Sequence, residues 1–138
     1  MSDWEIEEVD DDIPKDTSGM TSMQSMFLLS GETTLDLSSF DTSKVVDMSN
    51  MFEGCSALST LDLSSFDTTN VTNMREMFIG CTELTTLDLS SFDTSKVTDM
   101  EAMFDGCDSL KTVIMKNCSA ATVKKIKAEL PEGVEIIQ

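Results

Sequence analysis

The chain has 138 residues, 40% of them hydrophobic, and a net charge of -17 from 26 acidic and 9 basic residues. That length suits one domain around one core, and the acid excess disfavours direct binding to nucleic acid or to an anionic membrane surface while leaving basic partners and divalent cations open. No apolar run approaches the ~18 residues of a membrane span, and the lack of histidine removes the commonest general base and metal ligand.

Residues 1–18 carry eight acids and no hydrophobic period, which predicts an acidic flexible tail. The start, "MSDWEIEEVDDDIPKD", is acidic where a signal peptide is basic and then apolar. As written, the chain is expected to be cytoplasmic, or else a piece of a longer secreted protein. Residues 19–138 read as one solenoid domain. Residues 19–34 form its N-terminal cap, a half-repeat that is one residue short and carries Ser30 where later units carry cysteine.

Residues 35–112 hold three full repeats. Leu35, Leu61 and Leu87 lie 26 residues apart, and so do Phe40, Phe66 and Phe92. Met48, Met74 and Met100, Phe52, Phe78 and Phe104, Gly54, Gly80 and Gly106, and Cys55, Cys81 and Cys107 keep the same period. A period between about 20 and 50 residues marks units that close a core only by stacking. Within a unit, Leu58, Leu61 and Leu63 end in strand-like alternation. Asp41, Asp67 and Asp93 follow as turn residues placed to bond the backbone just after them. Val97, Met100, Met103, Phe104 and Cys107 then fall at helical spacing on one face. Asp47, Asn73 and Asp99 stand as N-cap candidates before that run, and Gly54, Gly80 and Gly106 stand where a left-handed residue ends a helix.

Residues 113–138 form the C-terminal cap. Helical spacing runs through Val123, Ile126, Ala128 and Leu130, stops at Pro131 and Gly133, and leaves "VEII" for a last strand. The predicted fold is therefore α/β: a solenoid of 26-residue coils, with one parallel β-sheet and a row of short helices opposite. Five strands at about 4.8 Å span about 20 Å.

The words "LDLSSFDTS" and "MF-x-GC", in that order and at that period, resemble the bacterial surface protein 26-residue repeat family, a relative of the BspA-type leucine-rich repeats. The resemblance covers about residues 20–118. It implies a leucine-rich-repeat-like solenoid belonging to a secreted, wall-linked or lipid-anchored protein that serves adhesion or host contact.

Three columns are candidate sites. Cys55, Cys81 and Cys107 are too far apart in sequence for a zinc knuckle and point the same way, so a buried thiol ladder is expected. Cys118 is out of phase and reads as a small core residue of the cap. The eleven methionines recur at inward positions and read as core. Asp36, Asp62 and Asp88, flanked by Thr34, Thr60 and Thr86 and by Ser38, Ser64 and Ser90, alternate with buried leucines and read as an exposed stripe. That stripe is open to three readings: solvated surface, a cationic partner, or calcium. No nucleophile–base pair, P-loop or dinucleotide motif occurs, so no enzyme activity, cofactor or resident metal is expected. The leading functional reading is a non-catalytic binding, adhesion or spacer module of a bacterial surface protein, with a protein or host-surface ligand. An acidic cytosolic inhibitor that mimics nucleic acid, and an engineered repeat scaffold, are the alternatives.

Overall fold

A computed structural model describes residues 16–138; most of the predicted tail lies outside the described residues. Among the described residues four regular elements occur: β1 (Thr86–Asp88), β2 (Thr112–Ile114), α1 (Ala120–Glu129) and β3 (Glu135–Ile137). The strands form one parallel sheet in the order β1-β2-β3, with Leu87 beside Val113 and Val113 beside Ile136. The chain is thus α/β, with a small parallel sheet and one helix.

The core repeats with the sequence. Phe27, Phe52, Phe78 and Phe104 stack nearly parallel, with ring centroids 5.6, 5.5 and 5.6 Å apart. Phe40 stacks on Phe66 at 6.4 Å. Leu35, Leu37, Leu61, Leu63, Leu87 and Leu89 are buried beside them, as are Met48, Met51, Met74, Met77 and Met103. Each unit covers the apolar side of the next, so burial within one unit depends on its neighbour.

The segments expected to form short helices do not. Residues 49–54, 75–80 and 101–106 are chains of turns. At the first, the N–H groups of Met48, Asn50, Phe52 and Gly54 donate to the carbonyls of Asn73, Arg75, Met77 and Ile79 at 2.8–2.9 Å. Those of Met74, Glu76, Phe78 and Gly80 donate likewise to Asp99, Glu101, Met103 and Asp105. The intervening amides of Met51, Glu53 and Cys55 donate three residues back. Every second amide is thus committed to the neighbouring unit, which leaves no i→i−4 ladder for a helix. Left-handed residues at Asn50, Glu76 and Ala102 (φ 57°, 56° and 57°) and at the glycines that follow break helical continuity again. Two successive turns nevertheless space inward residues three and four apart, so Val97, Met103, Phe104 and Cys107 are buried and Met100 partly so.

Of the expected five strands, three form among the described residues. Thr34-Leu35-Asp36 and Thr60-Leu61-Asp62 repeat the sequence of β1 but are not paired as strands. Asp disfavours strands, and two carboxylates directly opposite each other repel. β1 alone of the three copies adjoins the β-branched Thr112-Val113-Ile114, where Asp88 faces Ile114.

α1 lies where helical spacing was expected. Ser119 Oγ accepts the Thr122 amide at 3.1 Å, and Leu130 ends the helix before Pro131. Thr122 extends a threonine column. Thr17, Thr42 and Thr68 each accept the amide of Asp41, Asp67 and Asp93 at 2.8 Å, and Thr122 Oγ1 accepts that of Thr94 at 3.2 Å. Lys125 Nζ donates to the carbonyls of Thr94 and Val97, which have no further repeat above them. Among the described residues no buried side-chain nitrogen or oxygen lacks a partner.

Gly80 and Gly106 are required for two reasons. Both have positive φ (78° and 75°), and a Cβ on either would meet the backbone of the preceding column glycine at 3.4 or 3.3 Å. Denaturant titration should therefore rank three variants. Phe78→Ala should lose about 3–5 kcal/mol, as for other large core truncations. Gly80→Ala should be destabilised, and Ala102→Gly should gain about 1 kcal/mol by relieving left-handed strain.

Candidate functional site

The alternation of each rung sets its leucines inward and its polar residues outward. Thr34, Asp36, Ser38, Thr60, Asp62, Ser64, Thr86 and Asp88 are all exposed, and Ser90 is half-buried. The stripe is therefore present on one face. One oxygen of each carboxylate is already engaged, however. Asp36 Oδ1 accepts the Ser38 amide at 3.1 Å and its hydroxyl at 2.6 Å. Asp62 and Asp88 accept the amides of Ser64 and Ser90 at 2.9 Å each. One oxygen of each carboxylate thus fixes the corner that ends its rung, a structural role that the sequence reading had given to Asp41, Asp67 and Asp93 alone.

That role holds for the second column as well. Asp41, Asp67 and Asp93 accept the amides of Ser43, Thr69 and Ser95 at 3.0, 3.0 and 2.9 Å. The predicted helix caps Asp47, Asn73 and Asp99 bond Ser49, Arg75 and Glu101 in the same way. Each full unit therefore turns at three side-chain-bonded corners. The hydroxyl and then the amide of Ser38 hold the Asp36 carboxyl below its usual range, and Ser64 does the same for Asp62. These groups stay anionic well into acid.

A half-open groove of about 570 Å³ crosses the face. It gathers Asp62, Ser64, Asp88 and Ser90 with Leu61, Leu63, Ser91, Lys116 and Asn117. Thr34, Asp36, Ser38, Thr60 and Thr86 lie on the exposed face outside its lining. Lys116 and Asn117 were not anticipated, although Lys116 occupies the repeat position of Ser90. Its amide donates to Ser90 Oγ at 2.8 Å. A second half-open pocket, about 340 Å³, lies between residues 104–108 and 129–132 with Asp105, Asp108, Glu129 and Glu132 among its lining. Among the described residues, no three metal-ligating side chains gather in one place.

The cysteine column lies away from both. Cys55, Cys81 and Cys107 are buried free thiols whose Sγ atoms donate to the carbonyls of Phe27, Phe52 and Phe78 at 3.1–3.2 Å. Burial pushes Cys55 and Cys107 up to about 11 and Cys81 higher still. Cys118 is half-exposed, with its thiol raised by burial and then by the nearby Asp88 charge.

A family model described as "Mycoplasma protein of unknown function, DUF285" matches residues 2–129. No curated protein and no solved structure matches the chain. Among the described residues no helix is long and apolar enough to cross a membrane.

Two measurements check this geometry. Replacing Asp36, Asp62 and Asp88 together by Asn keeps an oxygen for each serine amide, whereas replacement by Ala removes it. Thermal unfolding should therefore place the triple-Ala protein below the triple-Asn protein, and equal midpoints would show that the corners do not need those bonds. Native thiol labelling should modify Cys118 first and the other three slowly, because the thiolate is the reactive form. The unfolded thiols ionise near about 8.5 and the buried ones higher, so stability should fall as pH rises from about 8.5 toward 11.

Proposed function

The chain belongs to the family described as Mycoplasma protein of unknown function, DUF285, and we propose that it acts as a non-catalytic binding or spacer module of a cell-surface protein. We read the described array as a leucine-rich-repeat-like solenoid. The 26-residue hydrogen-bond ladder, the isolated parallel bridges Asp47–Asn73 and Asn73–Asp99, and the stacked phenylalanines support that reading. The family description assigns no activity. The surface placement draws on the resemblance of the "LDLSSFDTS" and "MF-x-GC" repeats to bacterial surface protein repeats.

The observation that carries the binding role is the exposed Thr-Asp-Ser face. Its three copies are identical in sequence, and all copies turn outward. A surface fitted to one irregular partner differs from rung to rung, whereas a uniform face suits a regular or multivalent ligand held through many weak contacts. Variation falls instead on the turn side, at Ser49, Asn50 and Glu53 against Arg75, Glu76 and Ile79 and against Glu101, Ala102 and Asp105.

Protease added outside intact cells that make the protein should digest it, with a cytosolic marker spared. Survival of the protein until the cells are lysed would sink the surface assignment and return weight to the cytosolic inhibitor reading.

A further inference from the structure

The sheet face changes character along its length. Asp88 pairs with Ile114, and Ile114 with Ile137. Residues paired across parallel strands share a face. The column that carries carboxylates at Asp36, Asp62 and Asp88 therefore ends in two isoleucines, Ile114 half-buried and Ile137 40% exposed. In the neighbouring column the serines give way to the exposed Lys116. The groove runs from Asp62 and Ser64 through Asp88 to Lys116, and Ile114 and Ile137 lie on the same face beyond its lining.

Building on the reading of this face as the binding surface, we propose that its partner is an extended peptide segment of a protein, basic where it crosses Asp62 and Asp88 and apolar where it reaches Ile114 and Ile137. Charge complementarity selects the basic end. One oxygen of each carboxylate is committed to a serine amide, and the other remains available to lysine or arginine donors. The apolar end follows from the isoleucine pair, whose exposed surface gains by leaving water. Other partners are disfavoured at one end or the other. A wholly apolar segment would bury carboxylates without partners, and a wholly basic one would meet Lys116 and cover the isoleucines with charge. The specificity thus resides in the order of chemistries along the segment.

Two end-blocked, dye-labelled peptides of equal composition test this: Lys-Lys-Lys-Leu-Leu and Lys-Leu-Lys-Leu-Lys. Affinity is read by fluorescence anisotropy at low and high salt, and location by amide shifts in the isotope-labelled protein. The block peptide should bind about tenfold tighter than the interleaved one. Its shifts should fall on residues 62–64, 88–90, 114–116 and 137. Asp62→Asn with Asp88→Asn should weaken it and flatten its salt dependence, whereas Ile137→Ser should weaken it and leave the salt dependence intact. Equal affinity of both peptides at the sheet face would overturn the ordered partner and leave the face as a binding surface. Shifts confined to another surface would overturn both claims. No binding by either peptide would overturn the ordered partner.

Discussion

The backbone of one unit hydrogen-bonds to the same turn of the next, 26 residues on, through every second amide. This constraint fixes most of what surrounds it. The donors and acceptors must meet at each step, so each unit must have the same length and follow the same path. The side chains at equivalent positions are then stacked whether or not they attract one another. Phenylalanine at the inner position profits from this with parallel rings about 5.5 Å apart. Aspartate at an outer position does not, and its column survives because each carboxylate also holds a corner.

The same constraint explains which parts were legible in the sequence. Period and inward positions could be read directly, because burial follows repetition. The glycines at Gly54, Gly80 and Gly106 were correctly placed in left-handed backbone, but they end turns rather than helices. Three- and four-residue spacing of methionine, phenylalanine and cysteine is common to a helix and to consecutive turns. The sequence carries no mark that half the amides are used between units. Residues such as Glu76 and Ala102 in left-handed backbone are equally hard to foresee, because neither type favours that conformation.

The outward placement of the candidate residues was legible in the sequence, and their bonding was not. All nine Thr, Asp and Ser positions were expected on an outer face, and the structure puts them there. The serine bonds to aspartate were missed at Asp36, Asp62 and Asp88, although the Asp-x-Ser spacing is the same as that of Asp41 and Ser43. Lys116 and the Ile114–Ile137 pair were missed because the two strands of the cap were expected without aligning their outward residues on the Thr-Asp-Ser column. Aligning "TVIMK" on "TLDLS" places isoleucine over aspartate and lysine over serine, a substitution visible once the strands are in register.

The cap meets the array through Thr122 and Lys125, which engage Thr94 and Val97 by groups that every full unit repeats. It therefore recognises a kind of rung rather than one particular rung. Duplication or deletion of an internal 26-residue unit would leave those contacts, and the phase of each column, unchanged. Any other increment would rotate the following turns out of register. A chain with one unit more or fewer would differ in reach by about one strand spacing, roughly 4.8 Å, with the closing helix unaltered. The length of that step is set by the backbone bonds between units.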